Sequence, residues 1–142
     1  MDHDRPMDIE RGTIGPLPCA AIGTGEPMLV IAGLMPYTGP GPDRMARAAI
    51  GWITEVADRR RFVLVNRRAG YPRGTTFAEI AAEHAEAIRE LGGKVDVMGT
   101  STGGSIAQQL AADHPDVVGR LLLLSTACRL GPEGRVLQRR VA

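Results

Sequence analysis

The sequence predicts an α/β fold: a mostly parallel sheet with flanking helices. Three observations predict it. Short apolar runs alternate with stretches of helical periodicity along the whole chain. Residues 28–32, 62–65 and 121–124 are continuously apolar, with no polar alternation, as strands covered on both faces require. Between another apolar run (Val95, Val97, Met98) and an amphipathic stretch (Ile106, Leu110) sits a glycine corner, Gly99-Thr100-Ser101-Thr102-Gly103.

The elements follow in order. Residues 1–16 are polar and acidic and read as a loose N-terminal tail, without the basic start or apolar run of a signal peptide. Residues 17–22 form a weak strand, and Gly23-Thr24-Gly25-Glu26-Pro27 suggests a hairpin connection to the strand at 28–32. From Gly33 to Pro42 the chain is too rich in Gly and Pro for regular structure. Asp43 offers an N-cap, and Met45, Ala49, Trp52 and Val56 recur at helical spacing, so a helix is expected to about Arg60. A strand at 62–65 and a loop at 66–72 come next. Thr76 and Glu79 have capping-box spacing, ahead of an apolar stripe of Phe77, Ile80, Ala81, His84, Ile88 and Leu91 that Gly92-Gly93 stops. The helix after the glycine corner ends where His114 precedes Pro115. Leu121, Leu122, Leu123 and Leu124 make one more strand, and residues 131–142 form an arginine-bearing tail.

Composition narrows the function. The chain has single-domain length and enough apolar residues for a core. A net charge of +1, with the arginines scattered, gives no reason to invoke nucleic acid or an anionic membrane. No stretch approaches membrane-spanning length. Two cysteines, Cys19 and Cys128, make neither a disulfide framework nor a metal cluster, and free thiols in a reducing compartment, with a cytoplasmic location, are expected. No metal or cofactor is expected.

The glycine corner matches G-x-S-x-G, in which the serine occupies a strained strand-to-helix turn that exposes its hydroxyl. The dipole of the following helix favours an oxyanion at that point. A phosphate-cradling loop is the competing reading of residues 99–105, since glycine turns that open helices also bind anions. No lysine follows the glycines, so a Walker A loop is excluded.

On these residues the chain resembles the N-terminal half of an α/β-hydrolase of the serine esterase or lipase-like branch, over residues 17–128. Val30-Ile31-Ala32-Gly33-Leu34 resembles the strand and H-G-x turn that supplies an oxyanion amide, with Ala32 at the histidine position. Asn66-Arg67-Arg68-Ala69-Gly70 resembles the D-x-R-G loop, with Asn66 at the aspartate position. The resemblance implies Ser101 as nucleophile, the backbone N–H groups of Thr102 and Leu34 as the oxyanion hole, and Gly33 and Met35 as substrate contacts. It implies acyl transfer from a small ester, thioester or amide, because the dehalogenase and epoxide hydrolase branches carry aspartate at the elbow.

A triad also needs a base and an acid, which in this family follow the serine. Only His114 follows Ser101, at the far end of the same helix and roughly 18 Å away at 1.5 Å rise per residue. Asp116 and Glu133 precede no later histidine, and Asp113 precedes only His114, which that distance already excludes. His84 reads as a hydrogen-bonded core residue and His3 as part of the tail. The expectation is an incomplete α/β-hydrolase fold lacking its C-terminal strands and lid, with residues 129–142 opening the missing lid segment. Residues 121–124 would then be an apolar strand edge open to self-association. Two other readings stay open: a non-catalytic interaction module on this scaffold, and an anion or nucleotide binder at residues 99–105.

Overall fold

A computed structural model describes residues 8–51 and 59–141. In chain order the elements are β1 (Ile9–Ile14), β2 (Leu17–Ile22), β3 (Glu26–Ile31), α1 (Asp43–Ile50), β4 (Arg60–Val65), α2 (Phe77–Glu90), β5 (Val95–Thr100), α3 (Thr102–Asp113), β6 (Val118–Leu124) and α4 (Pro132–Val141). The six strands form one sheet in the order β1-β2-β4-β3-β5-β6. Strands β4, β3, β5 and β6 are parallel, and β1 and β2 add an antiparallel edge.

The continuously apolar runs at 28–32 and 62–65 are explained by two cores, one on each face of this sheet, whereas the run at 121–124 is largely exposed. Successive side chains on a strand point to opposite faces. Thus Leu29, Ile31, Val63, Val65 and Val97 meet Ile80, Ile88, Ile106 and Leu110 of α2 and α3. Val30, Phe62, Leu64 and Met98 go the other way and meet Ala46 and Ile50 of α1. Phe62 is among the largest fully buried side chains.

Several expectations are corrected. The expected loose tail contains β1, which pairs with β2 from Ile9↔Ile22 to Ile14↔Leu17 around a turn at Gly15, where φ is +50°. Its exposed charges hid it: Arg11 Nε donates to Asp43 Oδ1 at 2.8 Å, and Arg61 pairs with Glu10. Gly23–Pro27 does not close a hairpin, because β4 lies between β2 and β3. Asp43 is the first helical residue rather than the cap, a place taken by Pro42 with no side-chain hydrogen bond. Trp52 and Val56 lie outside the described residues, and Arg60 opens β4. Phe77 stands outside the buried stripe of α2 and is 46% exposed. The C-terminal tail contains α4.

Other expectations hold. Thr76 Oγ1 accepts the Glu79 N–H at 3.3 Å while Thr76 N–H donates to Glu79 Oε2 at 2.7 Å, completing the capping box. Strand β6 is the sheet edge, and Leu121, Leu122 and Leu123 are 37%, 44% and 39% exposed.

Near the N-terminal ends of the parallel strands, Asp96 of β5 accepts from Arg120 Nη2 at 2.7 Å, from the Arg120 N–H at 2.9 Å and from Arg60 Nη2 at 2.8 Å. These bonds, Arg120's first, hold its carboxyl down at about 2, from an ordinary 3.8. A depressed carboxylate pKa stabilises the fold above the unfolded value, and that contribution disappears as pH falls from about 4 through about 2. Arg120 is largely exposed, so screening limits the effect to about 1 kcal/mol. Urea midpoints measured from pH 7 to pH 2 should therefore fall less steeply in Asp96→Asn than in the wild type over this acid window.

Candidate active site

Ser101 sits where β5 hands over to α3, with φ +53° and ψ −122°. Such backbone costs an L-residue on the order of 1–3 kcal/mol and persists only where neighbours enforce it. Here they do. The Ser101 N–H donates to the Leu124 carbonyl at 2.9 Å, and the Ser101 carbonyl accepts from Gly104 N–H (2.9 Å), Ser105 N–H (3.2 Å) and Thr126 Oγ1 (2.7 Å). The residue is exposed, and among the described residues its hydroxyl makes no hydrogen bond.

The glycines at the corner are sterically required. A Cβ on Gly99 would lie 2.6 Å from the Gly103 carbonyl oxygen and 2.7 Å from the Gly104 Cα. One on Gly103 would lie 2.2 Å from the Ile31 carbonyl oxygen and 2.5 Å from that of Ala32. The turn is thereby pressed against the end of β3, which brings Gly33 to Ser101: a Cβ there would stand 3.2 Å from the serine Cβ and 3.9 Å from Oγ.

The other expected residues divide into those brought to this corner and those kept away. Leu34 follows Gly33 directly, its side chain 65% exposed, and Thr102 is the first residue of α3. Neither the Leu34 nor the Thr102 N–H donates in the turn, loop and cap hydrogen bonds of the described residues. The first amides of a helix have no intrahelical acceptor, so the Thr102 N–H is a donor of the required kind. By contrast, Gly104 and Ser105 N–H are taken by the Ser101 carbonyl, which removes two of the donors that a phosphate cradle at residues 99–105 would use.

Neither described histidine serves Ser101. His114 caps the opposite end of α3, its N–H donating to the Leu110 carbonyl at 2.8 Å. His84 is fully buried in α2, with Nδ1 2.8 Å from the Ile80 carbonyl oxygen and Nε2 without a partner. Burial pushes its pKa below the usual histidine value. His3 lies outside the described residues. Among the described residues, no group of three or more His, Cys, Asp and Glu side chains is placed to hold a metal ion. Cys19 is buried, Cys128 is exposed, and both are free.

The sequence did not disclose how the loop after β3 is held beside the serine. Ala32 N–H donates to the Val65 carbonyl at 3.0 Å, and Gly39 N–H to the Arg67 carbonyl at 2.9 Å. Asn66, buried, accepts the Arg67 N–H on Oδ1 at 2.8 Å. This loop and the one after β4 enclose a cleft of about 600 Å³ with Met35 in its wall. The sequence signal for this loop was the likeness of residues 66–70 to the D-x-R-G loop, with Asn66 at the aspartate position.

No family model and no curated protein matches the chain. Solved structures do. Rv0554 from Mycobacterium tuberculosis is 23% identical with a TM-score of 0.71, over 94% of this chain and 50% of that one. The epoxide hydrolase CorEH is 20% identical with a TM-score of 0.68, over 96% and 50% of the two chains. A thermophilic esterase from Thermogutta terrifontis is 26% identical with a TM-score of 0.68, over 93% and 52%. The chain spans about half the length of each of them. Among the described residues, no helix is long and apolar enough to cross a membrane. The strand order, the serine corner and these likenesses together give the chain the fold of the α/β hydrolases, of which it spans the N-terminal half.

Proposed function

We propose that the chain is the nucleophile-bearing half of a serine hydrolase acting on a carboxylic ester or related acyl substrate. The observation that carries this reading is a serine at positive φ, exposed at a strand-to-helix corner whose glycines admit no Cβ. In the proposed reaction Ser101 Oγ bonds to the acyl carbon as its proton passes to a base, and the carbonyl oxygen becomes an oxyanion facing the N–H groups of Thr102 and Leu34. The oxyanion then collapses as the base gives that proton to the departing alkoxide, which leaves as the alcohol, and water hydrolyses the acyl-serine that remains. Gly33 and Met35 are the proposed substrate contacts. The acid and base lie outside the described residues, and the uncatalysed proton transfer makes the chain alone a feeble esterase. Loss of the triad histidine in a serine protease costs about 10⁶-fold in kcat.

The direct test uses a fluorophosphonate with imidazole added to stand in for the base. One phosphonyl group per chain should attach, faster as imidazole rises, and Ser101→Ala should abolish it with the far-ultraviolet circular dichroism unchanged. A folded wild type that stays unlabelled at every imidazole concentration refutes the proposal.

A second reading, an interaction module that self-associates, is favoured by one observation. Strand β6 leaves an edge lined by half-exposed leucines. Free edge amides and carbonyls can pair with the same edge of a second copy across a two-fold axis. Sedimentation equilibrium should then give a dimer that Leu122→Arg dissociates, whereas a monomer at every concentration excludes this reading.

A further inference from the structure

The cleft of about 600 Å³ between the loops after β3 and β4 has the size of a small-molecule site. It opens at the C-terminal ends of the parallel strands, the end at which Ser101 also stands and where ligands bind in open α/β sheets. Two arginines, Arg67 and Arg68, line it together with Met35, Tyr37, Thr38 and Tyr71, and no acidic side chain is in its wall.

The two cations are not equivalent. Arg68 is already neutralised, its guanidinium 2.8 Å from Glu83 and stacked 4.5 Å from the centre of the Tyr71 ring, with the Tyr71 hydroxyl closing on the same carboxylate. Arg67 is half-buried, and among the described residues its guanidinium reaches only the Met35 carbonyl, at 3.5 Å. A guanidinium has five donors, and one long contact leaves most of them free in a partly desolvated place. The cleft therefore holds one uncompensated positive charge.

We propose that this cleft binds a carboxylate through Arg67, so that the substrates are hemiesters of dicarboxylic acids. A single net positive charge matches a monoanion, and the planar fork matches a carboxylate. Met35 is two residues from Gly33, no more than about 7 Å along the chain, so the two ends of such a substrate would meet one stretch of loop. That the bound anion belongs to an acyl substrate rests on the reading of Ser101 as nucleophile. The anion site itself does not.

Calorimetry on the full chain carrying Ser101→Ala separates the two, since binding needs no turnover. Monomethyl succinate should bind on the order of tenfold more tightly than uncharged dimethyl succinate, the scale of one charge-assisted hydrogen bond. Arg67→Gln should erase that preference, and Arg67→Lys should retain part of it. Equal affinity for the two esters, no measurable heat from the monoester, a preference that survives Arg67→Gln, or tighter binding of inorganic phosphate would each overturn the proposal. A charge preference in a chain that fluorophosphonate never labels leaves the carboxylate site standing without the hydrolase. Labelling without the preference leaves the hydrolase standing without this specificity.

Discussion

Replacing Gly103 by alanine should destabilise the chain by about 3 kcal/mol or more, lowering its melting temperature by roughly 10 °C. The direction is not obvious from the residue type, because Gly103 is helical and a helical glycine-to-alanine change gains about 1 kcal/mol in propensity. Position decides it. The added methyl would meet the Ile31 carbonyl oxygen at 2.2 Å and that of Ala32 at 2.5 Å, both backbone atoms that no rotamer change can move. Relief requires α3 to lift away from β3, which would also separate Ser101 from Gly33. Thermal melts of the variant should therefore show the loss of stability, and its fluorophosphonate labelling should fall even at temperatures where it remains folded. A variant as stable as the parent would mean that α3 does not lie against β3 as described. Gly12, whose added Cβ would meet nothing within 4 Å among the described residues, is the control position.

The second large effect is a pH dependence that one buried imidazole should impose. His84 is fully buried, its Nε2 has no partner, and burial lowers its pKa from 6.5, outweighing the Ile80 carbonyl and the nearby Glu83 carboxylate, which raise it. The sign follows from proton uptake. Above pH 6.5 the imidazole is neutral in both folded and unfolded chains, so it contributes no slope. As pH falls below 6.5 the unfolded chain binds a proton that the folded chain refuses, and stability falls with a slope approaching about 1.4 kcal/mol per pH unit. Urea midpoints at pH 8, 6 and 5 should reveal this loss in the wild type and its absence in His84→Met. Near neutrality the variant should be close to the parent or more stable, since an apolar side chain of similar bulk also removes a buried unsatisfied nitrogen. An identical pH profile for the two proteins would show that His84 is not buried as described. The Asp96 effect begins lower, in the window from about 4 through about 2, whereas the His84 effect sets in below 6.5.

How much could be read without coordinates depended on whether the signal was local. The strands β3 and β4 were legible because burial on both faces forces an unbroken apolar run, β6 because its four leucines make the same kind of run although they stand half-exposed at the edge, and the α2 start because a capping box is written in four consecutive residues. The serine corner was legible for the same reason. Strand β1 was not, because an edge strand with exposed glutamate and arginine has the composition of a loop, and its evidence is the pairing with β2. The error over Gly23–Pro27 has the same origin: a glycine turn does not reveal that β4, more than thirty residues later, inserts between β2 and β3. Within the site, the motif named Ser101 and its glycines. The hold of Leu124 and Thr126 on Ser101, and the gathering of Arg67 and Met35 around one cleft, depend on loops that approach only in space.

The bonds from Leu124 and Thr126 also impose a timetable on synthesis. A nascent chain can form β5 and α3 once residue 113 has left the ribosome, but the acceptor for the Ser101 N–H and the hydroxyl that grips its carbonyl emerge only with residues 124 and 126. Until then the serine is free to relax from its unfavourable dihedral angles, so the reactive corner is set only after the elements on either side of it.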